Sequence, residues 1–467
     1  MKNIENVTFD EIEIGASARL SRTLTIKDIE LFAIVSGDVN PTHVDEEFAQ
    51  SELFHKVVAH GMWGGSLISN LLGTELPGPG TIYLNQSLQF LAPVALGDTV
   101  TAVVKVIEKK PQQQHVVLEC SLTNQFDVLV ISGRAEVVAP TKKISRERVV
   151  LPEAEFRIKG RRYQQLITRT QDMEPIVTAV VCPVDTISLI GAIEAAKLGL
   201  IIPILIGPED KIRLAASKAD IDLSDYQIIA TENSEEAALL AVAMARAGNA
   251  EALMKGSLHT DELMRAVVDP KLGLRGERRM SHVFAIDAPN YPRALFITDA
   301  ALNIYPNLEA KRDIVQNAIE LAHALGNPEP RVAILSAVET VNPNIASTLD
   351  AAALCKMADR GQITGGILDG PLAFDNAVSA EAAKTKGIVS PVAGLADIFL
   401  VPDIEAGNML AKQLEYLADA EMAGIVLGAR VPIILTSRAD KTIARLGSCA
   451  IALLLVRNAA AKKALKV

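Results

Sequence analysis

Cysteine is scarce in this chain: Cys120, Cys182, Cys355 and Cys449 are its only four in 467 residues. They stand far apart with no C-x-x-C pair, so neither a disulfide framework nor a zinc cluster is expected. Each reads as a small buried residue in a reducing compartment, and the expected location is cytoplasmic. Basic charge is also short. The 46 Lys and Arg are outnumbered by 56 Asp and Glu, a net charge of −10. That leaves no basic footprint for nucleic acid, and any anionic ligand has to be held by a few local Arg or Lys residues. Long apolar runs are missing too: stretches such as residues 450–456 fall short of a membrane span, so no membrane association is expected. Residues 1–5 do not read as a signal peptide. No Gly-rich phosphate fingerprint occurs, no His/Cys/Asp constellation points to a metal, and no permanently bound cofactor is expected.

What is present argues for folded structure throughout. Hydrophobic residues make up 49% of the chain and charged residues 22%, and the length fits two or three domains. In residues 1–138, helical spacing over 25–35 precedes a bend, and residues 57–72 are apolar nearly all round. Such a helix has to be buried. Four β-branched stretches then follow at 81–90, 99–107, 115–122 and 128–138, separated by turn residues. One buried helix followed by an antiparallel run predicts a sheet wrapped around that helix. Residues 139–162 are charged and contain proline, as a linker does. From 163 to 467, short strands alternate with Ala-rich helical stretches, which predicts a parallel or mixed sheet covered by helices.

The chemistry of the first unit centres on Ser36-Gly37-Asp38-Val39-Asn40-Pro41-Thr42-His43. Pro41 lacks an N–H and biases Asn40 away from the α region, so the segment is expected to bend rather than form a helix. An acid and an imidazole are thereby pointed at one spot. By spacing alone the pair reads as a structural Asp–His hydrogen bond. Together with Val58-Ala59-His60-Gly61-Met62, however, the segment resembles the signature of the MaoC-like, (R)-specific enoyl-CoA hydratases. The resemblance implies a hot-dog fold and water addition to an enoyl thioester. In it Asp38 and His43 handle the protons, and backbone N–H groups at the helix start, opened by Gly61, hold the thioester oxygen. Ser69 falls where the family has a site serine, and equally reads as a helix-packing serine. His60 reads as packing or orienting the helix start.

The second half resembles the phosphate acetyl/butyryl transferase family through an ordered set of segments. They are Met254-Lys255-Gly256-Ser257-Leu258-His259-Thr260 with Arg265 beyond, Phe296-Ile297-Thr298-Asp299-Ala300-Ala301, Asp369-Gly370-Pro371-Leu372-Ala373-Phe374-Asp375-Asn376-Ala377, Ser390-Pro391-Val392-Ala393-Gly394, Val401-Pro402-Asp403-Ile404-Glu405-Ala406-Gly407-Asn408 and Leu435-Thr436-Ser437-Arg438-Ala439-Asp440. Ala337-Val338-Glu339-Thr340-Val341-Asn342-Pro343 looks closer to the butyryl-using branch. The resemblance implies a two-subdomain α/β domain of the isocitrate dehydrogenase-like, phosphate acyltransferase type, with the active site in a cleft. It also implies exchange of an acyl group between coenzyme A and inorganic phosphate.

Arg438 is assigned to phosphate, which its fork can bind through two oxygens, and Ser437 to the reacting centre. Arg265 is a second anion clamp. Asp440 stands where a base is needed, although acetyl-using members place that acid further on. Lys255, Ser257, Asp369, Asn376, Ser390 and Asn408 are expected to line the substrate site, and His259 and His282 to be structural. The expected partners are acyl-CoA, enoyl-CoA and phosphate. A homo-oligomer, dimer or higher, is expected because hot-dog domains pair. One alternative makes the first unit only a dimerisation or acyl-CoA-binding module. A second makes the chain a metal-dependent dehydrogenase.

Overall fold

A computed structural model describes residues 3–150, 160–435 and 442–464. Contacts divide the chain into two units, Met1–Ala154 and Glu155–Val467. The boundary falls inside the charged stretch read as a linker, but that stretch is shorter than expected. Its first part returns to the first unit as strand β7 (Ser145–Glu147), paired with β1 (Asn3–Glu5). Its last part opens the helix Arg161–Arg169 of the second unit.

The first unit is an antiparallel sheet of five strands. They are β2 (Ser17–Thr23), β3 (Ile82–Phe90), β4 (Thr99–Lys110), β5 (His115–Asn124) and β6 (Leu129–Val138), in the order β2-β4-β5-β6-β3. Side chains alternate across the pleat, so Val100, Ala102, Val104 and Val106 of β4 and Val116, Leu118, Cys120 and Leu122 of β5 face one core. Four helices accompany the sheet: α1 (Ile26–Ser36), α2 (Pro41–Val44), α3 (Glu46–Ser51) and α4 (Gly61–Thr74). The core is filled by Trp63, Leu67, Ile68, Leu71 and Leu72 of α4. Burying those five side chains contributes on the order of 10 kcal/mol before the entropy of ordering is set against it. Gly64 lets the helix approach, because a Cβ there would stand 2.5 Å from Ile131 Cδ1 and 3.0 Å from Leu122 Cδ2.

Two expectations need correction here. Helix α4 is not buried all round: Met62 is 55% exposed and Ser69 also faces out. Nor does Pro41 exclude a helix. It occupies the first position of α2, where its missing N–H costs nothing, and Asn40 caps that turn by accepting from the Thr42 N–H at 3.2 Å.

The second unit is built on one sheet of eleven strands. In chain order they are β8 (Ile176–Val181), β9 (Ile201–Gly207), β10 (Gln227–Ala230), β11 (Ala252–Lys255), β12 (Ser281–Asp287), β13 (Leu295–Thr298), β14 (Arg331–Leu335), β15 (Ile367–Leu372), β16 (Ile398–Leu400), β17 (Glu421–Leu427) and β18 (Ile433–Ile434). Their order across the sheet is β10-β9-β8-β11-β18-β17-β12-β13-β16-β14-β15. Strands β10 to β18 run parallel on one side, and β13, β16, β14 and β15 run parallel on the other. Between them β17 and β12 are antiparallel to their neighbours. Each side has its own smaller apolar cluster, and a larger one runs under both.

The apolar run at 450–456 lies in the helix Thr442–Ala464. Over Thr442–Lys462 this helix is long and apolar enough to span a membrane by length and composition. Yet Cys449, Ala450, Ile451, Ala452 and Leu453 are wholly buried in the core with Tyr163, Ile176 and Ile434. It is a core helix of the unit.

Glycine placement in the first sheet supplies a test. A Cβ on Gly133 would meet the Ser87 main-chain oxygen at 1.9 Å, whereas one on Gly73 of α4 meets nothing within 4 Å. Gly133→Ala is expected to destabilise the protein by about 2–3 kcal/mol. Gly73→Ala is expected to be neutral or stabilising by up to about 1 kcal/mol. Urea unfolding of both variants checks the contrast.

Candidate functional site

In the first unit the site grows from the end of α1. A capping box of Thr25 and Asp28 starts that helix, and Gly37, at φ 74°, ends it in the left-handed region glycine favours. The chain then turns into Asp38. Its carboxylate accepts from the Asn40 N–H at 3.2 Å, and its own N–H donates to Ser36 Oγ at 3.2 Å. His43 follows on α2, with Nδ1 2.8 Å from the Val58 carbonyl oxygen. A carbonyl only accepts, so the proton sits on Nδ1 and Nε2 keeps its lone pair. Val58 is itself held by an antiparallel bridge to Ala95. Asp38, His43 and His60 each bring one donor atom within 4.8 Å of the others. The two imidazoles lie face to face at a tilt, with centroids 4.1 Å apart and planes at 35°.

A cavity of about 500 Å³ opens beside this couple. His43, His60 and Gly61 line it, with Trp63, Phe90 and Ile131 among its apolar walls. That volume suits a small organic ligand, and α4 begins at its edge with the N–H groups of a helix start. Gly61 fits closely: a Cβ there would stand 3.2 Å from the Phe90 ring. Of the residues expected here, His43 and Gly61 line the cavity, and Asp38 stands within 4.8 Å of His43 without lining it. Ser69 is not among them, because it lies on the exposed face of α4 and does not line the cavity. Its place in the helix puts it two turns beyond Gly61. The apolar walls from β3, β6 and residues 91–94 escaped sequence reading, since no motif marks them.

The candidates of the second unit fall into separate groups. Lys255 ends β11, and Gly256 and Ser257 follow it, the Gly256 N–H donating to Val181 O at 2.8 Å and the Ser257 N–H to Cys182 O at 2.7 Å. A Cβ at Gly256 would meet those carbonyls at 2.5 and 2.6 Å. Lys255 is buried, with Nζ 3.2 Å from Gly256 O. The Ser257 side chain reaches Asp185, which caps the helix Thr186–Lys197. Burial alone would raise the Asp185 carboxyl, but hydrogen bonds from Ser188 and Ser257 hold it below the ordinary range.

A second group gathers at residues 299–303 and 401–408. Asp299 accepts from the N–H groups of Ala301 and Leu302, each at 3.0 Å, and burial raises its carboxyl above the usual range. Asn408 donates to Ala300 O at 3.3 Å, and a Cβ on Gly407 would meet Ala300 Cβ at 2.9 Å.

The third group surrounds Asn376, which is fully buried and donates to Glu339. Lys386 binds both Glu339 and Asp375, and it and Asn376 pull the Glu339 carboxyl down to about 2. The Gly394 N–H donates to Asn376 O at 2.7 Å, while Ser390 Oγ accepts from the N–H groups of Val392 and Ala393. Ser390 thus shapes its loop, while Asn376 donates through Nδ2 and keeps Oδ1 buried without a partner. Asp369 accepts from the next N–H at 2.8 Å. Arg265 lies apart, on a pocket of about 480 Å³ shared with Glu235, Glu262 and Asp269. Ser437, Arg438 and Asp440 lie outside the described residues. His259 is exposed at the start of helix Thr260–Val267.

Comparison with known proteins follows this division. Residues 229–453 match the family described as Phosphate acetyl/butaryl transferase, and residues 9–125 match the MaoC like domain. The phosphate acetyltransferase of Rhizobium meliloti is 61% identical over 293 residues, covering 63% of this chain and 93% of that one. A branched-chain phosphotransacylase from Enterococcus faecalis V583 has a similar structure, with a TM-score of 0.54 at 29% identity, covering 60% of this chain and 99% of that one. An R-hydratase from Pseudomonas aeruginosa is 41% identical over 33% of this chain and 99% of its own, at a TM-score of 0.33. The class is therefore a hot-dog unit followed by a phosphotransacylase unit. The chain belongs to the phosphate acetyl/butyryl transferase family and carries a MaoC-like domain at its N-terminus.

His282 supplies a pH test. It lies wholly buried on β12, packed edge-on against Phe284 with centroids 4.4 Å apart, and burial lowers its pKa from 6.5 to about 3. The folded form refuses a proton that the unfolded chain accepts, so this stability is complete above pH 6.5 and is lost as the pH falls toward 3. The contribution to the slope is about 1.4 kcal/mol per pH unit in that window. Urea unfolding of His282→Asn between pH 6.5 and pH 4 is expected to show a shallower dependence than the wild type.

Proposed function

We propose that this chain has two catalytic centres that each act on a coenzyme A thioester. As a phosphate acyltransferase, its second unit exchanges an acyl group between coenzyme A and inorganic phosphate. The finer roles within it are our reading: Arg438 binds phosphate, Ser437 sits at the reacting centre and Asp440 assists the thiol. Lys255 and Ser257, at the end of β11, contribute to the same site. The family spans acetyl and butyryl transfer and has a branched-chain relative, so the acyl group in this reading is a short chain.

The first unit, in this reading, hydrates trans-2-enoyl-CoA to (R)-3-hydroxyacyl-CoA. The observation that carries it is the approach of Asp38 to His43 at a cavity that also receives the start of α4. His43 Nε2, left with its lone pair by the Val58 contact, takes a proton from water as the water oxygen adds to the β-carbon. Asp38 shares that proton, and the couple returns one to the α-carbon, so H and OH are added across the double bond. The charge that gathers on the thioester oxygen meets the N–H groups at Gly61. Exposed Ile82, Leu84 and Phe90 on β3, one of the two edge strands of the sheet, support pairing of two copies through this unit.

The two centres are separable. Asp38→Asn is expected to lower crotonyl-CoA hydration at least about 100-fold and leave acyl phosphate formation unchanged. Arg438→Ala is expected to do the reverse. Ultraviolet absorbance of the enoyl thioester and release of free thiol measure the two reactions. Wild-type protein that does not hydrate crotonyl-CoA would return the first unit to a binding or dimerisation role.

A further inference from the structure

We propose that His60 is the positioning residue of the hydration centre, holding Asp38 through a hydrogen bond and His43 through a ring stack. This rests on the hydratase reading given above. His60 is only 2% exposed and stands at the N-cap of α4, yet its side chain caps nothing there. Its Nε2 instead lies 3.0 Å from the main-chain oxygen of Asp38, 22 positions earlier. That carbonyl can only accept, so the proton is on Nε2 and Nδ1 is a bare acceptor, buried and without a partner. A buried acceptor with no donor is destabilising. A side chain kept only for packing at this point would serve better if it were apolar.

The ring makes up the difference by what it touches. On one side it stacks on His43 at 4.1 Å, and Phe32 of α1 lies 5.0 Å away. Asp38 is exposed, and its own hydrogen bonds to Ser36 and Asn40 stay within the loop. His60 ties that loop to the start of the buried helix. Through one imidazole, the helix that delivers N–H groups to the cavity also sets where the acid and the base stand. A shift of about 1 Å in such a couple costs on the order of 100-fold in rate.

The test compares wild type, His60→Gln and His60→Phe in the full chain, with crotonyl-CoA as substrate. Gln places an amide N–H where Nε2–H stands, while Phe keeps the ring and loses the donor. His60→Phe is expected to lower kcat about 100-fold while KM moves less than about threefold, and His60→Gln to recover activity to within about tenfold of wild type. Urea unfolding of the first unit at the wild-type midpoint in both variants reports an intact fold around the site. His60→Phe hydrating within about threefold of wild type, or His60→Gln failing as badly as His60→Phe, overturns the positioning role and leaves the hydratase reading standing. Absence of hydration in the wild type overturns the hydratase reading itself. In that case crystal structures of the two variants decide the positioning claim: a displaced Asp38 loop in His60→Phe, restored in His60→Gln, supports it, and an unmoved loop overturns it.

Discussion

The close seat of α4 on the sheet is the constraint from which the first unit's chemistry follows. Gly64 has no side chain where Ile131 and Leu122 need the space, so the helix axis comes down onto β5 and β6. Trp63, Leu67, Ile68 and Leu71 then fill the concave face. A helix fixed this firmly has an equally fixed beginning, and that beginning is His60-Gly61. The cavity, the helix N–H groups and the imidazole that reaches Asp38 are all consequences of one packing contact. The other half of the site comes from the sheet: residues 57–60 run beside 94–96, with the Ala59 N–H 2.8 Å from Val94 O, and this presents the Val58 carbonyl to His43. The His43 and His60 side chains are therefore positioned by main-chain groups, which do not change rotamer.

The second unit reaches a similar result by a different route. Several of its candidate polar residues make hydrogen bonds that shape loops. Asp299 satisfies three N–H groups of the turn that follows it, Ser390 satisfies two, and Asn376 joins Glu339 to the 390–394 segment. Chemistry in such a unit is left to residues whose side chains project beyond these turns. Tyr163 serves the same economy in the core, donating to Ala285 O at 2.6 Å on β12 and reaching Glu421 O at 2.9 Å on β17. It holds together the two antiparallel strands at which the parallel halves of the sheet meet.

These two strands are also where sequence reading was weakest. The parallel strands were legible because both faces are covered, which writes a short continuous run such as Ile176–Val181 or Ile201–Gly207. Strand β12 carries a histidine and ends in an acid, and β17 starts with Glu421 and has Gly424 at its centre. Their polar residues are buried by neighbouring elements, and no local pattern announces that. The bend at 37–41 was legible, but not the short helix that opens on Pro41. Proline at a helix start and proline ending one look alike until the capping side chain of Asn40 is seen. Asp38, His43 and Gly61 were legible as a group through the resemblance that their two segments carry; by spacing alone the acid and the imidazole read as a structural pair. The acyltransferase candidates were legible as segments, but which of them share a pocket depends on strand order across eleven positions.

The two units have separate cores among the described residues. The apolar cluster of the first unit ends at Ala139, and those of the second begin at Tyr163 or later, with no residue in common. Coupling between two sites requires a physical element with two arrangements that both sites bias. What the two units do share, in the reading given above, is a ligand class. Any mutual effect would then act through the concentrations of thioester and coenzyme A, and would vanish when each reaction is measured at saturation. In a chain of this design, joining the units fixes their stoichiometry while leaving each site's rate to its own sheet.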